Sequence, residues 1–145
     1  MKESFEQFYK MYLDSWRNFS IQSIENVVSP EYSAREIRGK EVYDFGYEES
    51  IDGWNHAFKE LGEKRAKWIL KEAVTFSLKD DEVMAILWAS LIVDDQPIET
   101  ANLFFQTFKM EKDSWKLVRS YIETGLSIKK MLSLEFNLKE RSDLL

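Results

Sequence analysis

The chain of 145 residues has no cysteine, one histidine and two prolines, and each scarcity removes a class of chemistry. Without cysteine there can be no disulfide framework, no thiolate zinc site and no cysteine nucleophile, a composition that suits a reducing cytoplasm. The lone histidine, His56, stands two residues from Trp54 and off the helical stripe that Trp54 marks, which predicts a surface position. As a metal ligand or general base it would need partners converging on it, and no metal is expected. Long apolar runs are also lacking. Met1 to Phe19 mixes charges with apolar residues, so neither a signal peptide nor a membrane span is expected. Positive charge is in deficit, 20 Lys and Arg against 26 Asp and Glu, for a net charge of −6. Such a surface repels a phosphate backbone, so nucleic acid is not an expected partner. No glycine-rich phosphate loop or nucleotide fingerprint occurs, and no cofactor is expected. The acidic runs Glu48-Glu49 and Asp80, Asp81, Glu82 read as solvated turns or a helix start, not as a calcium loop.

What remains is an ordinary globular composition, 44% hydrophobic and 32% charged, with 14% aromatic residues. A chain of this length buries roughly 70% of its unfolded surface, enough for one core. No internal repeat, low-complexity stretch or linker divides it.

Phe5, Phe8, Tyr9, Tyr12, Leu13 and Trp16 recur with the period of a helix that has one broad buried stripe. Ser20 is placed to cap a short second helix carrying Ile21, Ile24 and Val27 or Val28, which ends before Pro30 because a residue preceding proline avoids helical dihedrals. Tyr32 to Arg38 and Glu41 to Phe45 then read as two strands around a tight turn at Gly39-Lys40. Ile51, Trp54, Phe58 and Leu61 mark a third helix, with Gly62 as its stop. From Lys67 the pattern becomes long alternating runs separated at Asp80-Asp81, at Asp94 to Pro97 and at Glu111 to Ser114. Strands of about twelve residues span on the order of 40 Å, so in a domain this small they must twist and bend. After Gly125, the tail carrying Ile128, Met131, Leu132 and Phe136 has helical spacing.

Three tight hairpins fix a register, and the register assigns faces. A turn at Asp80-Asp81 sets Glu72, Val74 and Phe76 opposite Ala89, Leu87 and Ala85. A turn centred on Asp95-Gln96 sets Ala89, Leu87 and Ala85 opposite Asn102, Phe104 and Gln106. A turn centred on Lys112-Asp113 sets Asn102, Phe104 and Gln106 opposite Glu123, Tyr121 and Arg119. One face would then be apolar in its middle and polar on its last two strands, the pattern of a small-molecule site. Arg119 is the leading binding candidate, its guanidinium suited to an anionic ligand, with Gln106, Tyr121, Asn102 and Glu123 beside it and Phe104 as wall. The alternative is that these groups satisfy one another as cross-strand pairs. Trp54 belongs with Trp16, Tyr43, Phe45 and Tyr47 to an aromatic supply near the mouth, residues that more often fill a core than stack on a ligand. Glu72 and Glu123, if inward, are costly to bury unpaired and become acid-base candidates, with Tyr121 as a possible hydrogen-bonding companion. The opposite face carries Met84, Ile86, Trp88, Ile92, Leu103, Phe105, Val118 and Ile122, too much apolar surface to leave in water. A second copy of the sheet, as a homodimer, is preferred as its cover, with the C-terminal tail as the alternative.

This succession of elements, with Gly53-Trp54 in the third helix and the closing stretch Asp113-Ser114-Trp115-Lys116-Leu117-Val118, resembles the nuclear transport factor 2-like superfamily, including SnoaL-like cyclases and ketosteroid isomerases. The resemblance implies an α+β fold, a cone-shaped, strongly curved antiparallel sheet of about six strands with three helices from the N-terminal half on its concave face, a cystatin-like roll. It implies a domain over residues 1–125 and a tail over 126–145. In many relatives the strand after the tryptophan carries inward histidines, where this chain has Arg119, Tyr121 and Glu123. An isomerase or cyclase working by carboxylate proton transfer, as in isomerases of this fold, and an inert association module with a filled cone stand as alternatives to the preferred reading, a binding protein for a small apolar or amphipathic molecule with an acidic end.

Overall fold

The computed structural model describes residues 3–133. Helix α1, Phe5–Arg17, begins where the Ser4 hydroxyl accepts a hydrogen bond from the Gln7 N–H, and its predicted stripe is buried from Phe8 to Trp16. Helix α2, Ile21–Val27, stops before Pro30, and β1, Val28–Arg38, pairs with β2, Glu41–Gly46, around Gly39-Lys40. Gly39 has φ +61, which a glycine accepts without cost. Helix α3, Tyr47–Glu63, runs one residue past Gly62, so that glycine lies in the last turn and is not the stop; the chain leaves the helix through Lys64 and Arg65, the latter at φ +52.

The remaining strands are β3, Ala66–Lys79, β4, Glu82–Val93, the two-residue β5, Gln96–Pro97, β6, Thr100–Glu111, and β7, Ser114–Ser127, followed by a short helix α4, Ile128–Ser133. The sheet order is β2-β1-β7-β6-β4-β3, with β5 on β4. The α+β class and the curved sheet of about six long strands are as expected, with one addition: β1 and β7 pair in parallel, which makes the sheet mixed. Edges remain at β2 and β3, so the sheet is not closed.

Helices α1 to α3 lie on the inner face. Phe108, fully buried on β6, is boxed by Phe5, Phe8, Tyr9 and Tyr12 of α1 at centroid separations of 5.4 to 6.0 Å. Rings crossed edge to face at this spacing are favourable beyond their burial, and they fix α1 across the sheet. The outer face carries a second cluster, Ile86, Trp88, Ala101 and Leu103, against which α4 places Met131. Lys71 Nζ donates to the Met131 carbonyl at 2.7 Å and anchors the same turn. The expected tail thus starts in the end of β7 and becomes helical at Ile128, where α4 covers part of the outer face, while Phe136 lies outside the described residues.

Register departs from three simple hairpins at defined places. Between β4 and β6 the expected pairs hold, Ala89 with Asn102, Leu87 with Phe104 and Ala85 with Gln106. They do so although the turn is centred one residue earlier, at Asp94-Asp95, because β5 pairs before the chain re-enters the sheet at Thr100. Between β3 and β4 irregularities at Ala73 and Leu78 put Glu72 opposite Leu87, Val74 opposite Ile86 and Phe76 opposite Met84. Val74 and Phe76 therefore move to the outer face. Between β6 and β7 the pairs near the turn hold, Phe108 with Leu117 and Met110 with Trp115, but a bulge at Val118 then shifts everything that follows. Arg119, Tyr121 and Glu123 pair with Thr107, Phe105 and Leu103 on the outer face, while Ser120 and Ile122 turn inward opposite Gln106 and Phe104. An extra residue in one strand reverses the face of each residue after it, and long strands that wrap helices recruit such bulges to bend.

Candidate functional site

The inner face, read across the sheet, carries one row of Tyr43, Glu36, Ile122, Phe104, Leu87 and Glu72, and a second of Phe45, Ala34, Ser120, Gln106, Ala85 and Thr75. Under the β2 half of these rows, roofed by α3, lies a cavity of about 440 Å³. Its deep walls are Trp16 from α1, Trp54 from α3, Trp68 from β3 and Phe104 from β6. Trp16 is the hinge of this cluster, edge to face with Trp54 at 4.9 Å, with Trp68 at 5.6 Å and with Phe104 at 5.1 Å. The indole N–H groups of Trp16 and Trp68 are buried with no protein partner, a costly state. Room is left by small residues on α3, Ser50, Gly53 and Ala57, and a β-carbon added at Gly53 would meet nothing within 4 Å.

Polar groups are few and placed at the wall. Gln106, 1% exposed, has its amide against the Tyr12 phenol, with Nε2 donating at 2.9 Å. The second N–H of that amide is free for another acceptor, because an amide nitrogen carries two donors. Tyr32 faces the cavity beside Ser50, and its burial pushes the phenol up to about 12, against the lowering by the neighbouring Ser120 and Ser50 hydroxyls. Burial likewise holds the Tyr12 phenol well above its ordinary value.

At the mouth the hairpin β1–β2 supplies charge. Arg38 Nε donates to Glu36, and its guanidinium lies 4.3 Å from the centre of the Tyr43 ring. Arg35 grips Asp44 with two hydrogen bonds, 2.7 and 2.9 Å. Glu49 accepts from the Gly46 N–H at 3.3 Å at the start of α3.

Of the residues expected in a site, Gln106, Phe104 and Trp54 line this cavity. Asn102 is on the inner side but serves the second irregularity of β7, accepting from the Gly125 N–H at 3.1 Å. Arg119 is on the outer face, 3.6 Å from Glu82, and does not meet Gln106. Tyr121 and Glu123 are also outside and bond to each other at 2.6 Å. Glu72 is inward yet exposed, at a separate cleft between α1 and β3 with Tyr9 and Arg17. The carboxylate and tyrosine set Glu72, Glu123 and Tyr121 therefore does not converge on one place. His56 is exposed on α3, 3.6 Å from Glu60.

Glu36 and Glu49, the carboxylates that reach the cavity, were not sequence candidates, and neither were Tyr32 and Arg38. The signal on β1 was the alternation along Tyr32, Ala34, Glu36 and Arg38, which reads as a half-buried strand and gives no reason to single out a charged member.

No protein-family model and no curated protein sequence matches the chain. Solved structures do. A putative calcium/calmodulin-dependent protein kinase type II association domain from Thiobacillus denitrificans is 18% identical, covers 86% of this chain and 97% of its own, and superposes with a TM-score of 0.66. A domain of unknown function with a cystatin-like fold from Nostoc punctiforme is 12% identical over 87% and 78%, with a TM-score of 0.65. A nuclear transport factor 2-like protein of unknown function in nutrient uptake from Rhodospirillum rubrum is 11% identical over 86% and 100%, with a TM-score of 0.62. These likenesses establish the nuclear transport factor 2-like, cystatin-like fold that the sequence resembles.

Proposed function

We propose that this chain is a cytoplasmic binding protein for a small, flat, mainly apolar organic molecule that enters the cavity between α3 and the β1–β2 hairpin. The observation that carries this reading is the cavity itself, about 440 Å³ walled by Trp16, Trp54, Trp68 and Phe104, with the buried Gln106 amide as a directional group. Greasy walls with one or two orienting polar groups are what small-ligand sites need, and the volume falls in their usual range. Arg119 is not part of the reading, and with it goes the reason to expect an anionic end on the ligand. The absence of cysteine supports the reducing compartment. Among the described residues no helix is long and apolar enough to cross a membrane.

The test uses the neutral fluorophore N-phenyl-1-naphthylamine and a variant that fills the cavity without straining the chain. Gly53→Leu replaces a helical glycine with a better helix former in open space, so the variant should be at least as stable as the wild type. We expect saturable probe binding to the wild type and about tenfold or weaker binding to Gly53→Leu, since a side chain then occupies the ligand's place. Equal binding by the two proteins would remove the cavity from the function.

Self-association belongs to the same proposal. The fold neighbour from Thiobacillus denitrificans is described as an association domain, and on the outer face of this chain Phe76 and Tyr121 are 41% and 39% exposed beside Val74, Met84 and Phe105. A second copy is the cover we assign to that surface.

A further inference from the structure

We infer that the cavity selects an organic cation, a protonated or quaternary amine carried on a flat apolar body; the inference rests on the binding reading above and adds the charge of the ligand. Charged residues lining the cavity are Glu36, Asp44, Glu49 and Arg38, with no lysine among them, and Asp44 directs its carboxylate to Arg35 on the outer face. Arg35 offsets Asp44 from outside, which leaves Glu49 in excess, held by nothing stronger than a backbone N–H. An anionic ligand would meet this field with only a cation that is already paired. A cationic one would be drawn in, with the net charge of −6 adding to its encounter rate.

The rim already displays the recognition in miniature. The Arg38 guanidinium sits over the Tyr43 ring and against the Glu36 carboxylate, a cation between a π face and an anion. The two halves of that arrangement differ in permanence. The Glu36 side chain is 17% exposed and fixed on the inner wall, whereas that of Arg38 is 57% exposed at the hairpin tip next to Gly39. A ligand ammonium can replace Arg38 at Glu36 while the guanidinium swings into water at little cost. Deeper in, the half-buried rings of Trp54 and Trp68 line the cavity and supply π surface of the kind to which cations are best attracted.

Three naphthalenes with one body and different ends separate the cases by isothermal titration calorimetry: 1-naphthylmethylammonium, 1-naphthylmethanol and 1-naphthoate. We expect the ammonium compound to bind about tenfold or more tightly than the carboxylate, with the alcohol between. Glu36→Gln should collapse that preference to about threefold or less, and Arg38→Met should tighten the ammonium compound by removing its competitor. If Glu36→Gln does not fold, Arg38→Met alone decides, because tightening of the cation and not of the alcohol is specific to displacement. Equal or tighter binding of the carboxylate or the alcohol by the wild type overturns the inference and leaves the cavity as a binding site. Failure of all three while N-phenyl-1-naphthylamine still binds overturns it in the same way. Failure of that probe as well removes the binding reading itself.

Discussion

Burying a phenol raises its proton affinity because the phenolate loses its hydration, and three tyrosines on the inner side of the sheet feel this. Tyr32 is pushed up to about 12, and the same burial raises Tyr9 and Tyr12 above their ordinary value. A group whose folded-state affinity exceeds its unfolded one stabilises the protein below the unfolded value and loses that contribution as pH rises through the folded value. For Tyr32 the window runs from about pH 10 to about 12, and the contribution at stake is about 3 kcal/mol at 1.36 kcal/mol per unit. Tyr32→Phe removes this site. Urea midpoints measured at pH 8 and pH 11 should fall further for the wild type than for the variant. An equal fall in both would mean that the Tyr32 phenol is not carrying the load. The same residue-scale logic explains why Glu36 keeps its place on an inner wall: a half-buried carboxylate is tolerable only with a partner, and Arg38 supplies one from the neighbouring inward position.

At the scale of elements, strand ends and turns were legible in the sequence and strand middles were not. Apolar spacing placed α1, α2 and α3, and the turn residues placed all three long hairpins within a residue, because periodicity and turn chemistry are local properties. Bulges answer to the global need to wrap a sheet around helices. The one at Val118 leaves a faint trace, two adjacent residues, Leu117 and Val118, both buried where alternation would expose one. Gly125, at φ +69 inside β7, marks the second irregularity, and a glycine within a strand pattern is the sequence signal for it. The bulge at Val118 exchanged Arg119, Tyr121 and Glu123 for Ser120 and Ile122, so three of the five expected polar residues left the site through one inserted residue while Gln106 and Phe104, on the unshifted strand, stayed. The turn feeding β7 offers a direct test. Lys112 and Asp113 sit at φ +57 and +93, conformations that Asn and Gly adopt at lower cost. Replacing the pair, Lys112→Asn with Asp113→Gly, should stabilise the fold by about 1 kcal/mol and raise Tm by about 2–4 °C in calorimetry. A lowered Tm would mean that the original side chains hold the turn in some other way.

For the whole molecule the two faces of one sheet have different fates. The inner face is covered by three helices and keeps a cavity under α3 besides the cleft between α1 and β3; the outer face is closed at one end by Met131 of α4 and open at the other, where Phe76 and Met84 pair. An apolar surface of this kind is covered when two sheets meet about a two-fold axis, because each copy then offers the same patch to the other. A stable contact of that sort needs about 800 Å² from each partner, and in the contact we propose Phe76 and Tyr121 are joined by their neighbours Val74, Met84 and Phe105. Phe76→Glu places a carboxylate at the open end, where it would face apolar surface across the axis and add charge to a chain already at −6. Sedimentation at micromolar concentration should give about twice the single-chain mass for the wild type and one chain mass for Phe76→Glu, with the variant's cavity still binding the neutral probe. A wild type that sediments as a single chain, or a variant that still pairs, would exclude this face as the contact. The cavity opens beside β2, at the sheet edge away from β3 where Phe76 lies, so loss of pairing should leave ligand affinity unchanged.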